Sequence, residues 1–516
     1  MEAYASTRAP ASGTAGDGRA TPRSRWPTVP AAAAALPVVA VRTLRRHAAF
    51  VVVLALAISV RLVVTSAYPS AFYFPDSVQY VELAKSWAPD PSRPLGYPLF
   101  LKLFLVPFGS PALPYAAAPY ETIALIQHAL IIGLIVAGYV FLVHFGVARW
   151  LAAVAMIPMA LDGREIALER HVISETLFIV LLAGGLMILA RRGRLSTAWA
   201  CVGGFLVAAA ATVRAVGLPI VVVVLAYLAL RRVSWRAMVG FAATSGLVLL
   251  GYMAYYQHFH GAFTFGQSSG RALAARASSI ADCDRLVLTT QQRAICPTDP
   301  AWQYLERPDA YGSSGAAMTR LYPSPEDDAF LGDFAKTVIR QQPGDYLRVV
   351  AIQSAWHFLP WPPVNELGQC VIKSWKLPAS PNLRCQARMY TESGPVSDDE
   401  LVPVAPTRLT TGLARYSDIM FTPGPLLGAG VLVAFAGLFR RRGDDRSRRG
   451  LAGALFAGTG LLLVVISVAT GMYEMRYLMP GLFLIPVGAA LGIQQLLGGR
   501  RPPGAEAAPH LEGRAA

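Results

Sequence analysis

Apolar runs of membrane-spanning length recur along this chain, separated by short polar joints. A crossing helix needs about 20 mostly apolar residues. The first such run is Ala48–Ala67 (AAFVVVLALAISVRLVVTSA). Further spans are expected at about 120–147, 150–162, 171–190, 197–213, 215–230 and 237–256. After a long polar stretch come 422–439, 450–470 and 477–497. The pattern predicts an all-α polytopic membrane protein with about ten transmembrane helices. The weakest span is 150–162, which is short and contains Pro158.

Two further apolar stretches read as interfacial, and the first of them is too short to cross. Pro98–Phe108 suits a segment lying at the outer interface. Pro343–Leu359 has Pro in its first turn and Asp345 near its N-terminus, a good helix start. Its apolar face is interrupted by Arg348, Gln353 and His357, so it reads as an interfacial helix.

Positive charge orients the spans. Arg42, Arg45 and Arg46 precede the first run and place its N-terminal end in the cytoplasm. Alternation then puts Arg149, Arg191–Arg194, Arg231–Arg236, the 440–449 stretch and Arg500–Arg501 on that same side. The segments 1–47 and 500–516 read as cytoplasmic tails, the first disordered because it is rich in Ala, Pro, Ser and Arg. No A-x-A-type cleavage site follows the first span, which reads as an uncleaved signal anchor. The expected organisation is a membrane module at 48–256 with a first outer loop at 68–119, a mixed extracytoplasmic domain at 257–421, and C-terminal transmembrane helices at 422–499.

Composition changes the picture in one respect. The 516 residues are 54% hydrophobic and only 15% charged, yet Lys+Arg is 46 against Asp+Glu 31, a net charge of +15. A basic balance often signals nucleic acid. Counted by side, the cytoplasmic segments hold 23 basic and 6 acidic residues (23 − 6 = +17), which leaves 23 basic and 25 acidic elsewhere (−2). The excess is therefore an orientation signal and needs no nucleic acid. Abundant Ala, Arg and Gly point to a GC-rich bacterial source, hence the bacterial plasma (inner) membrane with both termini cytoplasmic.

Of the five cysteines, Cys201 falls inside a span. Cys283, Cys296, Cys370 and Cys385 all lie in the outer domain, where an even number in an oxidising compartment suggests disulfides. The local pairing, 283–296 with 370–385, closes the shortest loops. Free thiols or a metal site are the alternatives, but no Cys-x-x-Cys spacing exists.

Candidate chemistry gathers on the outer side. Asp76 follows the first span and precedes a short amphipathic pattern, so it suits a helix N-cap; a catalytic carboxylate is the competing and compatible reading. The Arg93-Pro-Leu-Gly96-Tyr97-Pro98 run is a rigid turn in its plain reading. In its functional reading Arg93 meets a phosphate and Tyr97 faces a sugar. Between the next two spans lies Asp162-Gly-Arg164-Glu165 through Glu169-Arg170-His171, then Ser174-Glu175. Internal salt bridging at i, i+4 to i, i+5 is the bland account. His171 and Glu175 share a face but make only half a metal site. Arg214 sits between two spans. Arg61 lies in the outer half of the first, where it would snorkel outward. Glu474-Met-Arg476-Tyr477 opens the last span, either as an ion pair with an aromatic belt or as a lipid-phosphate contact. Trp302, Trp356, Trp361 and Trp375 of the outer domain would stack on sugars or, more commonly, pack a core.

These residues together resemble the GT-C superfamily of membrane glycosyltransferases. The likeness rests on Pro-Asp-Ser-x-x-Tyr (Pro75–Tyr80), Arg-Pro-x-Gly-Tyr-Pro (Arg93–Pro98), Ser174–Phe178 opening a span and Arg476–Pro480 opening the last one. Within it, the chain resembles the protein mannosyltransferase-like and aminoarabinose-transferase-like branch. The resemblance implies a polyprenyl-phosphate-linked sugar donor, an extracytoplasmic acceptor and transfer with inversion, with Asp76 as general base. It implies substrate contacts from Arg93, Tyr97, Glu169, Arg170, His171, Arg214, Glu474, Arg476 and Tyr477. Many members carry Asp-Glu where this chain has Asp76-Ser77. If a divalent cation (Mg or Mn) is held, Asp76, Asp162, Glu165 and Glu169 are the carboxylates for it. Two other readings stay open at this point: a transporter or flippase of a lipid-linked sugar, and a non-catalytic membrane scaffold. No internal repeat supports transport.

Overall fold

Helix α1 (Ala48–Ala67) is formed by an apolar run with neither Gly nor Pro inside it. The computed structural model describes residues 45–108, 118–296, 322, 324–363, 372–379, 406–440 and 444–498. Two shorter helices follow, α2 (Pro75–Lys85) and α3 (Gly96–Phe108). Then come α4 (Ala118–His144), α5 (Arg149–Leu161), the short α6 (Gly163–Arg170), α7 (Glu175–Ala190), α8 (Thr197–Val213), α9 (Leu218–Leu230) and α10 (Trp235–His260). Polar joints set these limits. Ser196 and Ser234 cap α8 and α10 by accepting from the amides of Trp199 and Ala237, and Gly261, at φ 73°, ends α10 in the left-handed conformation.

The middle region contributes α11 (Ser269–Ser278), α12 (Asp328–Gln341), α13 (Pro343–Trp356) and α14 (Arg408–Ile419). The chain closes with α15 (Gly424–Phe439), α16 (Asp444–Thr470) and α17 (Gly481–Leu497). Among the described residues there is no strand, only one bridge between Phe72 and His171, so the described part of 257–421 is helical and not mixed. Cys283 and Cys296 form a disulfide. Cys370, Cys385 and Trp302 lie outside the described residues.

Among the described residues, five helices are long and apolar enough to cross a membrane, at Ala48–Ala67, Pro119–His144, Trp235–His260, Arg448–Thr470 and Met475–Leu497. The pair Arg408–Ile419 and Gly424–Phe439, bent by 43°, makes a sixth if it is one broken span. The other four expected spans are apolar helices at Arg149–Leu161, Glu175–Ala190, Thr197–Val213 and Ala215–Leu230. At 1.5 Å per residue they reach only about 20–25 Å, short of a hydrocarbon core of about 30 Å. Ten full-length crossings are thus more than the helix lengths support. Gly, Pro and Arg at the joints cut these runs short.

One apolar core joins the long helices, with Phe50 of α1 stacked on Tyr139 of α4 at 3.8 Å between ring centres. A smaller core holds Ala274, Leu331, Phe334, Val338 and Val349 of α11, α12 and α13. The Tyr346 hydroxyl donates to the Ala469 carbonyl at 2.9 Å, which seats α13 on the end of α16. Of the tryptophans in 257–421, Trp356 and Trp375 are buried and Trp361 is exposed.

Candidate functional site

After α1 the chain turns back on itself. The Phe72 amide donates to the Arg170 carbonyl at 2.8 Å, and the Val172 amide donates to the Phe72 carbonyl at 3.1 Å. This pairing lays the first loop alongside the α6–α7 joint. Pro75 then takes the first helical position of α2, and Ser77 closes the start by accepting from the Phe74 amide at 3.0 Å. Asp76 is therefore not the N-cap expected from the sequence. Proline at N1 moves it into the first turn, where the helix dipole favours an anion.

Three arginines from distant parts of the chain meet around it. Arg93 is presented by a turn in which Asp90 accepts from the amides of Ser92 and Arg93. Its Nη2 donates to Asp76 Oδ1 at 2.7 Å. Arg476 stands in the one-turn helix Met475–Leu478 that opens α17, and its Nη1 donates to Asp76 Oδ2 at 2.6 Å. Its Nε lies 2.8 Å from Glu474 Oε1 and 3.7 Å from Glu175 Oε1. Arg214, at the joint of α8 and α9, pairs with Glu175 at the start of α7 and reaches Ser174 Oγ at 3.4 Å. Ser174 in turn meets the Tyr80 hydroxyl at 2.9 Å.

Aromatic rings wall the cluster. The Arg476 guanidinium lies 5.0 Å from the Phe74 ring, 5.4 Å from Trp375 and 5.6 Å from Tyr477. Arg93 lies 5.0 Å from the Tyr80 ring. The side chains of Asp76 and Arg93 keep 16% and 23% of their surface, so the cluster is open to a small ligand on that side. Burial alone would raise the Asp76 carboxyl, but Arg93, Arg476 and Arg214 pull it well below the usual carboxylate range. Burial pushes Glu474 up, and Arg476 only partly offsets it.

A second charged network lies deeper. Glu169 takes a two-pronged contact from Arg61, at 2.5 and 2.8 Å, and a third from His128 Nδ1 at 2.5 Å. Arg61 also donates to the carbonyls of Ala57, Ala160 and Met159. It is buried and does not snorkel; a carboxylate 108 residues away holds it inside. Gln127 donates to the carbonyls of Glu169 and His171, both at 2.8 Å, and accepts from the Tyr97 hydroxyl at 3.0 Å. Burial favours a neutral Glu165, and Glu169 and Asp162 add to that effect; Glu169 itself is drawn down by Arg61 and His128 against its own burial.

The expected site residues thus divide. Asp76, Arg93, Arg214, Glu474, Arg476 and Tyr477 come together. Tyr97 is fully buried, its hydroxyl donating to Gln127. Arg170 is buried, donating to the carbonyls of Tyr68 and Ser70, and His171 packs on Phe72 and Trp375. The loop pairing at Phe72 lies alongside both. Arg164 touches Met475 Sδ and the Phe421 ring instead of a neighbouring carboxylate, so the expected pairing within α6 is replaced by contacts between elements.

Of the four carboxylates named for a cation, Asp76, Asp162 and Glu169 are each engaged by other partners. Both Asp76 oxygens are on arginines, Glu169 is on Arg61 and His128, and Asp162 accepts from the amides of Arg164 and Thr422. Among the described residues no three His, Cys, Asp or Glu side chains are placed to hold a metal. The donor set does not fit a divalent cation. Reading the sequence missed Gln127 and His128, although adjacent polar residues in the middle of an apolar span are a signal in themselves.

No family model matches the chain, and no curated protein matches it. Among solved structures it is similar to the Archaeoglobus fulgidus oligosaccharyltransferase in its apo form, at 12% identity and a TM-score of 0.40. The match covers 87% of this chain and 50% of that one, so the chain spans about half the length of that protein. A likeness this loose transfers neither a site nor a role.

Proposed function

We propose that this chain is a membrane glycosyltransferase of the GT-C kind. It moves a sugar from a polyprenyl-phosphate donor to an extracytoplasmic acceptor, a cell-envelope glycan, lipid or protein, with inversion. The observation that carries this reading is the convergence of Arg93 and Arg476 on Asp76, with Arg214 on the neighbouring Glu175, beside the ends of apolar helices. Guanidinium forks suit phosphate oxygens, and a carboxylate among them suits proton removal from an acceptor. The site belongs in a bacterial inner membrane with both termini cytoplasmic, so that a prenyl tail stays in lipid while the sugar meets a polar acceptor.

The transfer needs few parts. The acceptor hydroxyl attacks C1 from the face opposite the phosphate while its proton passes to Asp76. The C1–O bond to phosphate breaks, and the phosphate leaves with the electron pair. Arg93, Arg476 and Arg214 stabilise the charge that grows on it. No step requires a metal.

The test uses purified protein and a polyprenyl-phospho-sugar labelled in both halves. Acceptor-dependent release of labelled polyprenyl phosphate, with the sugar on the acceptor, is the expected result. Movement of the intact lipid across a vesicle wall without release would assign a transporter instead.

A further inference from the structure

We infer that in the free enzyme Asp76 occupies the place of the donor's phosphate, so that the donor must displace the carboxylate before it can act as a base. This rests on the transfer reading above. Each Asp76 oxygen accepts from a different guanidinium, Arg93 on Oδ1 and Arg476 on Oδ2. Those arginines lie 17 and 400 residues from Asp76, so this is a long-range construction and not a local ion pair. A carboxylate held in this way presents its oxygens to arginine N–H groups and not to an acceptor hydroxyl. A phosphodiester offers the same thing that the carboxylate now offers, two anionic oxygens spaced for a guanidinium fork.

The surrounding charges favour exchange over simple addition. Three guanidiniums (Arg93, Arg214, Arg476) face three carboxyl groups (Asp76, Glu175, Glu474). A formally balanced cluster has no spare positive charge, so an anion enters by replacing one already present. Asp76 is the replaceable one. Arg476 stays seated by Glu474 and the aromatic rings when Asp76 leaves, and Arg214 stays seated by Glu175. Glu175 and Glu474 are less exposed, at 4% and 6%, against 16% for Asp76. The consequence is an order of binding: the donor enters first, and only then does the acceptor meet a free carboxylate.

This leads to an effect opposite to that of an ordinary contact deletion. Replacing Asp76 removes the resident anion, so Asp76→Asn should lose transfer yet bind phosphate more tightly. Full-length wild type and Asp76→Asn are titrated with farnesyl phosphate and, separately, with inorganic phosphate. The expected result is affinity for farnesyl phosphate raised about fivefold or more in the variant, the equivalent of one released ion pair. A matching gain for inorganic phosphate means that the headgroup alone is recognised; a gain for farnesyl phosphate only means that the prenyl chain is also needed. Unchanged or weaker binding of farnesyl phosphate by folded Asp76→Asn would overturn the displacement while leaving the transfer reading intact. Transfer retained by Asp76→Asn would overturn the reading itself. If that variant does not fold, initial-rate kinetics on the wild type decide. Ordered binding with the donor first is expected, and random or acceptor-first binding contradicts the inference.

Discussion

At the scale of the residue, Asp76 and Arg61 show how far a partner alters the meaning of a side chain. The arginines around Asp76 set its pH behaviour. Its folded pKa is depressed, so the ion-paired form is fully present above the unfolded value of about 3.9 and is lost only as pH falls through the lower folded value. The acid side of kcat/KM, which reports the free enzyme, is therefore flat down to about pH 5. A limb in kcat/KM with an apparent pKa between about 5 and 7 that disappears in Asp76→Asn would contradict this. Arg61 and Glu169 make a different prediction. Removing one partner of a buried ion pair costs about 3–5 kcal/mol, whereas replacing both with apolar residues is often neutral. Arg61→Leu or Glu169→Leu alone should lower the melting temperature in detergent sharply, and the double variant should recover most of the loss. Additive losses would mean that the two do not act as a pair. Both partnerships were invisible locally: Asp76 read as a cap because its arginines are distant, and Arg61 read as snorkelling because Glu169 lies 108 residues on.

At the scale of the element, close approach decides what the site looks like. A Cβ on Gly96 would sit 2.6 Å from the Thr212 carbonyl oxygen and 2.9 Å from the Val213 amide nitrogen, both backbone. Glycine thus allows the start of α3 to touch the end of α8, between Arg93 and Arg214. Gly96→Ala forces the two apart, an overpacking worth about 1–3 kcal/mol. It should raise the donor KM more than it lowers the melting temperature would explain. Wild-type kinetics in a folded variant would show that this contact does not position the arginines. Helix limits were largely legible, because α1, α8 and α10 are apolar runs bounded by Arg, Ser or Gly. The burial of Tyr97, Arg170 and His171 was not. It depends on the Phe72 pairing and on Gln127, neither of which has a sequence periodicity. The start of α2 was legible only in part, since proline at N1 puts the cap at Phe74, two residues before Asp76.

At the scale of the whole molecule, the charge asymmetry and the site make one joint statement about sides. Lys85 in α2 and Arg194 at the α7–α8 joint are both exposed. With the arginine-rich joints cytoplasmic, a cysteine at Lys85→Cys is labelled by an impermeant thiol reagent on spheroplasts, and one at Arg194→Cys only after permeabilisation. The reverse pattern would place the Asp76 cluster in the cytoplasm and end the extracytoplasmic reading. Span number was less legible than span position. Hydropathy marks the apolar helices, but among the described residues four of the expected spans are too short to cross by length alone. The measurement closest to the central claim is sugar transfer from a polyprenyl-phospho-sugar by Asp76→Asn and wild type at equal amounts of folded protein. The account predicts that the variant loses about 100-fold or more, the usual contribution of a positioned proton acceptor. Transfer by Asp76→Asn within about threefold of wild type would contradict it, since a general base cannot be removed so cheaply.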